Sequence, residues 1–467
     1  MSESAPNVKI ITLGCAKNEV DSEEIAGVLR QAGYALDGGA SQSDVTIINT
    51  CGFLEASKQE SIDAIKRAVR SKGKGRVIVA GCLAQRMGAE LARLAPGADA
   101  YVGVGQMGRF DAIVKDLFGR DASAEPVMDV EPPHHRWAEV STRARTGRPW
   151  SAYLKVSEGC DHPCTFCTIP SFRGRHRSKP IERVLEEARF LAKTGAVELN
   201  LIAQDVTQYG YDLYKKFTLP TLLRELNGVE EVRWIRLLYF YPSRLTDEVI
   251  EAMTTLDKVV PYIDIPLQHS HPDVLRRMKR PGDGAQYLEK VRRVRQAMPD
   301  AAIRTTFIVG FPGETDAEFQ HLMDWVTEAR LDRVGAFVFS REPGTPSHDM
   351  DGQVPGRIKK ERFDRLMRRQ QTISREVNRT WVGRSISVLV DEVKDGMLAG
   401  RSHRDAPEID GWVFAPATPE VRPGEIISVT VTEATDYDLY GTIGGGAGVA
   451  PGRKLRALRV SQPSTPR

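Results

Sequence analysis

Three short β-branched runs that each end in a cysteine constrain the fold of the N-terminal part of this 467-residue chain. The runs are VKIITLGC, DVTIINTC and RVIVAGC, which end at Cys15, Cys51 and Cys82, and each is followed by a helical stretch. Alternating strands and helices predict a parallel sheet, in which ligands bind beyond the carboxyl ends of the strands. We therefore expect these residues, the first cysteine set, to meet at one edge of an N-terminal parallel α/β sheet domain and to share a metal site.

A structural role is the alternative for each member of the first cysteine set, because a small thiol is among the side chains most often buried. The same topological position in three successive units favours a shared metal site over three separate core residues. Disulfides are not expected, since the chain has only six cysteines and no sequence sign of an oxidising compartment.

The other three cysteines, Cys160, Cys164 and Cys167, lie within CDHPCTFC and form the second cysteine set. A structural zinc site needs four ligands, and a cubane cluster held only for electron transfer usually has four thiolates. His162 is an alternative fourth ligand for zinc, although the spacing does not favour one tetrahedron. Because the chain has no cysteine left to complete either set, one coordination position of each metal site is predicted to stay open.

The segment after this loop contains further strand patterns separated by amphipathic stretches. They are AVELNLIAQD, RWIRLLYFYP, VVPYIDIPLQH, AIRTTFIVGFPGET and RVGAFVFS. Successive βα units of this length predict a partial (β/α), TIM-like barrel with its site at the carboxyl ends of the strands. Polar residues at those ends are candidates for the site: Gln204, Asp205, His269 and Glu314. A helix cap or a structural hydrogen bond is the alternative role for each.

The C-terminal region changes to short alternating strands broken by Gly, Pro and Asp, which predicts a small OB-like β-barrel. A proline-rich, weakly patterned passage precedes the central domain and is predicted to be a linker. The predicted organisation is an N-terminal α/β domain (1–120), a linker (121–149), a central barrel (150–380), a C-terminal β-barrel (381–445) and a basic, flexible tail (446–467).

Composition favours an ordinary globular enzyme, with 41% hydrophobic residues, 27% charged residues and a net charge of +3. The sequence has no signal-peptide pattern, and no apolar run approaches the roughly 18 residues that a membrane span needs. We therefore expect a cytoplasmic, monomeric protein with no membrane contact.

The C-x3-C-x2-C spacing of the second cysteine set, with Phe166 before its last member, resembles the signature of the radical S-adenosylmethionine (SAM) enzymes. That resemblance implies a 4Fe-4S cluster whose open iron binds the methionine end of SAM. The stretch GFPGE resembles a glycine-rich segment near the cofactor in the same superfamily, although a lone glycine-rich turn is a weak signal. Together with the strand-end position of Gln204, this gives the cofactor-binding candidates Phe166, Gln204, Gly310 and Glu314.

The order of the three predicted domains resembles the methylthiotransferases of this superfamily over nearly the whole chain, with the β-barrel as a TRAM domain. LGCAKNEVDSEE is similar to the branch that modifies an aspartate of small-subunit ribosomal protein S-twelve, although Ala16 departs from the proline usual in that branch. The matching residues in this stretch are Lys17, Asn18, Asp21 and Ser22. EGCDHPCTFCTIPSFRGRHRS and APEIDGW are also similar to this branch.

The resemblance implies a reaction and its cofactors. A methylthio group is inserted at the β-carbon of the aspartate, where the carbon–hydrogen bond has no useful acidity and requires a radical. Two 4Fe-4S clusters are implied: one on the second cysteine set cleaves SAM to a 5′-deoxyadenosyl radical, and one on the first carries the sulfur that another SAM methylates. The implied partners are ribosomal protein S-twelve, free or in the small subunit, a low-potential electron donor such as flavodoxin or ferredoxin, and a sulfide source.

The charges of two segments of the sequence help to distinguish a protein substrate from an RNA substrate. Between Arg384 and Ile443 the sequence has eleven acidic and five basic residues, which favours a basic protein over RNA as the partner of the β-barrel. The segment 357–379 has nine Lys or Arg and three acids, and it keeps a tRNA adenosine (2-methylthio) methylthiotransferase open as an alternative. An alternative of a different class is a non-catalytic, metal-stabilised RNA- or ribosome-binding protein, which requires four-ligand sites that the sequence does not offer.

Overall fold

The computed structural model describes residues 6–36, 43–121, 124–133, 137, 139–140 and 143–444. The predicted basic tail (446–467) and parts of the predicted linker lie outside the described residues. The chain divides into two compact units. The first comprises Met1–Thr194, Leu201–Leu222 and Ser340–His348, and the second comprises Gly195–Asn200, Leu223–Phe339 and Asp349–Arg467.

The strands, in chain order, are β1 (Asn7–Thr12), β2 (Ala35–Leu36), β3 (Val45–Thr50), β4 (Arg76–Gly81), β5 (Ala100–Val102), β6 (Val127–Asp129), β7 (Ser151–Lys155), β8 (Ser157–Glu158), β9 (Arg177–Ser178), β10 (Glu198–Ile202), β11 (Trp234–Leu237), β12 (Tyr262–Asp264), β13 (Ala302–Val309), β14 (Arg333–Val338), β15 (Ser385–Lys394), β16 (Met397–Ser402), β17 (Val413–Pro416), β18 (Ile426–Ala434) and β19 (Leu439–Ile443).

The α-helices are α1 (Ala16–Gln31), α2 (Glu55–Ser71), α3 (Cys82–Met87), α4 (Ala89–Leu94), α5 (Phe110–Gly119), α6 (Ile169–Arg173), α7 (Ile181–Lys193), α8 (Tyr211–Tyr214), α9 (Leu219–Asn227), α10 (Asp247–Thr255), α11 (Pro272–Arg277), α12 (Gly284–Ala297), α13 (Asp316–Ala329) and α14 (Gly356–Arg379).

The N-terminal part of the first unit is a six-stranded sheet with the order β2-β1-β3-β4-β5-β6, and every neighbouring pair is parallel. This arrangement confirms the predicted parallel α/β sheet. Its strands are rich in β-branched residues because both faces are buried. Ile47 and Ile78 pack with Phe110 of α5 in the core on one face, whereas Ile48 and Ile65 of α2 belong to the core on the other.

Strands and helices alternate along the chain from β7 to β14, which agrees with the predicted βα pattern of a partial barrel. Within the second unit, β12, β13 and β14 form a parallel sheet in that order. Helix α13, which connects β13 to β14, begins with a capping box in which Thr315 and Glu318 satisfy each other's backbone N–H groups. The carboxyl end of β13 therefore leads into a firmly fixed turn and helix.

The C-terminal strands form a closed barrel with the order β15-β16-β17-β19-β18, which confirms the predicted small β-barrel. Its interior is filled by alternate apolar residues of the strands, including Val388, Leu398, Val413 and Val429. Closure leaves no unpaired edge strand in this barrel.

The predicted acidic docking surface of the barrel is smaller than the residue count indicates. Asp391 pairs with Arg401 at 2.6 Å in the interior of the second unit. Asp405 is 2% exposed and pairs with Arg333 at 2.9 Å, and Asp410 accepts a hydrogen bond from the hydroxyl of Tyr262 at 2.6 Å. These carboxylates neutralise buried cations or satisfy buried donors, because an unpaired buried charge is costly. A basic partner therefore cannot meet them directly.

Among the described residues, no helix combines the length and the apolar composition needed to cross a bilayer.

Candidate active site

The first cysteine set lies at the carboxyl ends of three neighbouring strands. Cys15 follows β1 and is the N-cap residue of α1, Cys51 directly follows β3, and Cys82 directly follows β4 as the first residue of α3. Strands β1, β3 and β4 are adjacent, parallel and in register. The structure thus places the three thiols at one edge of the sheet, where the strand pattern predicts them.

Glycines allow the loops of this edge to approach one another closely. Gly14 has a φ of +100°, and a Cβ atom at this position would lie 2.8 Å from the Cβ atom of Cys51. Gly81 has a φ of +91°, and a Cβ atom there would clash with the side-chain oxygen of Asn49. Both backbone conformations are accessible to glycine and strained for other residues. The residues before Cys15 and Cys82 are therefore glycines for a local steric reason.

The three thiols interact electrostatically with one another. Cys51 and Cys82 are 9% and 7% exposed, whereas Cys15 is exposed. Burial raises the pKa of the Cys51 thiol, and the nearby Cys15 raises it further. Burial also raises the pKa of Cys82 to about 12, against the lowering effect of Arg173, with Cys15 and Cys51 adding to the rise. The Cys51 and Cys82 thiols therefore resist ionisation unless a cation binds them.

Asn18 links the three loops that carry the first cysteine set. It is fully buried in the first turn of α1. Its side-chain nitrogen donates hydrogen bonds to the carbonyl oxygen of Leu13 at 2.8 Å and to that of Thr50 at 3.0 Å. Its side-chain oxygen lies 3.5 Å from the Sγ atom of Cys82, which donates to it. Asn18 therefore contacts the ends of β1 and β3 and the cysteine that follows β4.

Arg173, the last residue of α6, is the cation beside Cys82. Its Nε and Nη2 atoms lie 3.2 and 3.1 Å from the Cys82 sulfur, and Nη2 also donates to the side-chain oxygen of Asn18 at 2.7 Å. The same guanidinium contacts Asp21 at 2.8 Å and Glu158 at 3.1 Å. Burial lowers the pKa of Arg173, but Asp21, Cys82 and Glu158 outweigh it and hold the pKa well above its usual value. Arg173 is therefore a permanent positive charge.

The second cysteine set occupies a loop between β8 and α6, and polar contacts with neighbouring segments fix this loop. The Cys160 N–H donates to the carbonyl oxygen of Gly174 at 3.0 Å. Asp161 accepts hydrogen bonds from the backbone N–H of His176 at 3.1 Å and from the side chain of Gln208 at 2.8 Å. All three cysteines are half-buried. Burial raises the pKa of Cys160 to about 12, with a smaller opposing effect of the His162 N–H.

His162 and Asp205 are joined in the structure. The Nε2 atom of His162 and the Oδ2 atom of Asp205 are 2.7 Å apart. The other carboxylate oxygen of Asp205 accepts from the backbone N–H of Thr207 at 2.9 Å and so caps the short helical turn after β10. Asp205 therefore has the capping role considered for strand-end residues, and it also orients a side chain of the cysteine loop.

Gln204 is linked to the second cysteine set through Glu158. Its side-chain nitrogen donates to the Oε1 atom of Glu158 at 2.5 Å, and Glu158 precedes Cys160 by two residues. The side-chain oxygen of Gln204 is buried and accepts no hydrogen bond within the described part of the chain. A buried polar atom without a partner is costly, so this oxygen is a candidate contact for a ligand.

Phe166 is half-buried in the loop of the second cysteine set. The carbonyl oxygen of its neighbour Thr165 accepts a hydrogen bond from the backbone N–H of Ser347 at 2.9 Å. The segment Ser340–His348 of the first unit therefore helps to fix the loop at the position of Phe166.

Gly310 and Glu314 lie in the second unit, in the turn between β13 and α13. One carboxylate oxygen of Glu314 accepts from the N–H groups of Gly310 at 2.6 Å and Phe311 at 3.1 Å, and the other accepts from Arg362 at 3.0 Å. Burial raises the pKa of Glu314 to about 7, against the opposing effects of Arg362 and these backbone N–H groups. Both carboxylate oxygens thus have partners within the turn or on α14, and Glu314 sets the shape of the turn.

His269, also in the second unit, is completely buried. Its Nδ1 atom accepts a hydrogen bond from the backbone N–H of His271 at 3.0 Å, and its Nε2 atom has no hydrogen-bond partner among the described residues. Burial lowers the pKa of His269 well below its usual value, and the nearby His271, His321 and Arg277 lower it further. The ring is therefore neutral, with a protonated Nε2.

Sequence reasoning missed the buried polar residues that surround the cysteines. Helix α1 begins with charged and polar residues that a hydropathy pattern assigns to solvent, yet most of them are buried: Lys17, Asn18, Asp21, Ser22, Glu23 and Glu24. Lys155 contacts Asp21 at 2.5 Å, and Arg143 contacts Glu23 at 2.6 Å. One sequence feature pointed to these residues: the start of α1 and the stretch PSFRGRHRS are similar to one branch of the methylthiotransferases. That similarity does not indicate which side chains contact one another.

Three family models match the chain in the order of the predicted domains. The uncharacterized protein family UPF0004 matches residues 7–103, the radical SAM superfamily matches residues 154–326, and the TRAM domain matches residues 382–443.

Solved structures with a similar fold are radical SAM proteins of low sequence identity. The radical SAM methyltransferase TsrM from Kitasatospora setae, with cobalamin and a [4Fe-4S] cluster bound, aligns with a TM-score of 0.54 and 15% identity over 85% of this chain and 80% of that chain. Another structure of TsrM, with tryptophan and a SAM analogue bound, gives a TM-score of 0.55 at 14% identity, over 87% of this chain and 80% of that one. At this identity the similarity extends to the fold alone.

Curated relatives are much more similar in sequence. The ribosomal protein uS12 methylthiotransferase RimO of Moorella thermoacetica is 46% identical over 94% of this chain and 98% of its own length. The proteins of the same name from Symbiobacterium thermophilum and Caldanaerobacter subterraneus are 45% and 44% identical, each over 93% of this chain, and the alignments cover 90% and 99% of those proteins. With this identity over nearly its full length, the chain belongs to the RimO family of radical SAM methylthiotransferases.

Proposed function

We propose that the chain inserts a methylthio group at the β-carbon of an aspartate of ribosomal protein uS12. The observation that carries this proposal is the presence, within one compact unit, of two separate sets of three cysteines in a chain that has no other cysteine. Two open metal positions suit a reaction that has both to break a carbon–hydrogen bond and to deliver sulfur. Family membership at up to 46% identity supports the substrate.

The residues of both sets fit iron–sulfur clusters by their donor chemistry. Each set offers three thiols, which are the ligands that such clusters require. Arg173 stands beside the first set as a counter-charge for an anionic group. Near the second set, the unpartnered side-chain oxygen of Gln204 offers a hydrogen-bond acceptor to a bound cofactor. We assign a 4Fe-4S cluster to each set, with SAM bound at the second.

When bound, these groups supply the radical that removes hydrogen and the sulfur and methyl group that replace it. The remaining tasks belong to the chain. Phe166 and Gln204 in the first unit are assigned to SAM binding, and so are Gly310 and Glu314 in the second unit, where the Glu314 carboxylate holds the turn at Gly310. Glu158 keeps Gln204 oriented through the hydrogen bond between their side chains.

Further assignments belong to this proposal. The enzyme acts as a monomer in the cytoplasm, receives electrons from a low-potential carrier such as flavodoxin or ferredoxin, and takes sulfur from a sulfide source. Its domains are those expected from the sequence: an α/β domain (1–120), a linker (121–149), a radical SAM core (150–380), a TRAM β-barrel (381–445) and a tail (446–467).

The basic helix α14 does not strengthen the tRNA alternative. Arg362 of this helix is 5% exposed and pairs with Glu314 and Asp316, whereas Arg375, which is 47% exposed, pairs with Asp436 at 2.5 Å at the surface. The charge of Arg362 is therefore neutralised within the second unit and is not available for phosphate contacts.

Mass spectrometry of both substrates tests the proposal. Ribosomal protein uS12 and tRNA are isolated from cells that lack this chain, and from the same cells carrying either the intact chain or the Cys51→Ala variant. We expect the methylthio group on the uS12 aspartate only with the intact chain, and no change in tRNA. Methylthio-adenosine that depends on this chain, with unmodified uS12, contradicts the proposal.

A further inference from the structure

Arg173 contacts residues that belong to both cysteine sets or adjoin them. It follows Cys167 by six residues at the end of α6, and its side chain is 3% exposed. Two of its nitrogens lie 3.1 and 3.2 Å from the Cys82 sulfur of the first set. Another, Nη1, donates at 3.1 Å to Glu158, two residues before Cys160 of the second set. The guanidinium group of Arg173 thus contacts the first cysteine set and a residue that adjoins the second.

Arg173 is part of a buried cluster of charges. The cations Arg173 and Lys155 contact the carboxylates of Asp21 and Glu158, all four side chains are at most 4% exposed, and the buried Glu24 also interacts with Lys155. A thiolate at Cys82, or an anionic group bound to it, adds negative charge to this cluster, and Arg173 is the cation in contact with it. Water does not screen this interaction, because the group is buried.

We propose that Arg173 is a positioning residue that stabilises added negative charge on the group held by the first cysteine set. This proposal rests on the assignment of an iron–sulfur cluster to that set. Reduction adds one negative charge to such a group, and a fixed positive charge in contact with a ligand sulfur favours the reduced state. Arg173 thereby sets the reduction potential of the first cluster higher than the three thiolates alone allow.

The test measures the midpoint potential of the first cluster alone. Cys160, Cys164 and Cys167 are replaced by Ala in the full chain, the protein is reconstituted anaerobically with iron and sulfide, and reduction is followed by electron paramagnetic resonance during a redox titration. In this background, Arg173→Met is expected to lower the equilibrium constant for reduction at least tenfold, which is about 59 mV for one electron. Arg173→Lys retains the charge and is expected to lower it less.

Arg143 provides the matched control. It is also buried in the first unit and also paired with two carboxylates, those of Glu23 and Glu187. Its guanidinium hydrogen-bonds to Glu23, Glu187 and the carbonyl oxygen of Tyr153. Arg143→Met is therefore expected to reduce stability without moving the midpoint potential. Equal potentials in the Arg143→Met and Arg173→Met proteins overturn the proposal and leave Arg173 with a structural role.

Arg173→Gln is a second variant, which removes the positive charge but keeps a polar side chain that can donate a hydrogen bond. It takes the cation away from the Cys82 sulfur, so the potential is expected to fall here as well. If Arg173→Met does not fold, an unchanged potential in Arg173→Gln overturns the proposal. If the background protein binds no cluster although the intact chain does, it is the assignment of a cluster to the first cysteine set that fails.

Discussion

The two cysteine sets are built in opposite ways. The first is assembled from three strand ends that are separated by more than thirty residues along the sequence, and two of its members are less than one tenth exposed. The second comes from eight consecutive residues in one half-buried loop. The first geometry depends on the packing of a whole sheet, whereas the second depends on local hydrogen bonds. The first set is therefore sensitive to changes throughout the sheet, and the second to changes in its own loop and the segments that contact it.

The largest loss of activity is expected when a cysteine of the second cysteine set is replaced. Cys164→Ala leaves two thiols in the loop, which cannot hold a cluster that keeps one open iron. We expect complete loss of SAM cleavage, measured as 5′-deoxyadenosine formed under dithionite. The intact chain reconstituted in parallel is the control. A variant that still produces 5′-deoxyadenosine would show that the loop is not the radical site.

Replacing a cysteine of the first cysteine set should separate SAM cleavage from formation of the methylthio product. Cys51→Ala removes a thiol at a strand end and leaves every contact of the cysteine loop in place, so SAM cleavage is expected to continue while the methylthio product disappears. Both products can be quantified from one anaerobic reaction containing uS12. Methylthio product at near-normal yield would show that the members of the first cysteine set are core residues.

The two sets differ in what the sequence reveals about them. The spacing C-x3-C-x2-C identifies the second set without any structure, because all its cysteines lie in one turn-rich loop. The first set could be predicted because parallel strands bring their carboxyl ends to one edge, and the order of the strands in the sheet bears this out. The folds of the N-terminal sheet and the C-terminal barrel followed from strand and helix periodicity in the same way.

Buried charge could not be predicted. Asp21 and Arg173 are separated by more than 150 residues, and each looks like an ordinary surface residue in its own segment. Asp405 and Asp410 were counted as barrel surface, but tertiary contacts with Arg333 and Tyr262 bury them. Hydropathy assigns a charged residue to solvent because burial is costly, and only the folded chain shows where an opposite charge removes that cost.

The Glu158→Gln variant tests whether the two cysteine sets depend on each other. This fully buried carboxylate accepts hydrogen bonds from Arg173 and Gln204 and also pairs with Lys155. Glu158→Gln removes one of the carboxylates that neutralise these two cations, and removing one partner of a buried ion pair costs about 3–5 kcal/mol. Thermal unfolding should show this loss, and the iron content of both sets should fall. Glu186→Gln, at an exposed position of α7, is the control. Unchanged iron content in either set would mean that the two sets do not depend on each other through Glu158.

Smaller, site-specific effects are expected from two glycines. Gly14→Ala adds a Cβ atom 2.8 Å from that of Cys51, and Gly159→Ala adds one that clashes with the carbonyl oxygen of Arg175. Each also strains a backbone with positive φ, at a cost of about 1–3 kcal/mol. The first should lower iron retention in the first cysteine set only, and the second in the second set only.

Gly33→Ala is the control for this pair, because it has a φ of +87° and no neighbouring atoms within 4 Å. It should lose stability through backbone strain alone and retain iron as the intact chain does. If Gly14→Ala and Gly159→Ala both lose iron from the same set, the separation of the two sites is wrong.

Iron counting in three proteins tests the central claim, that two separate three-cysteine sites each hold a cluster. The intact chain, a variant with Ala at Cys15, Cys51 and Cys82, and a variant with Ala at Cys160, Cys164 and Cys167 are reconstituted anaerobically and analysed for iron and sulfide by Mössbauer spectroscopy and chemical assay. We expect about eight irons per intact chain and about four in each variant. About four irons in the intact chain, or zinc in their place, would contradict it.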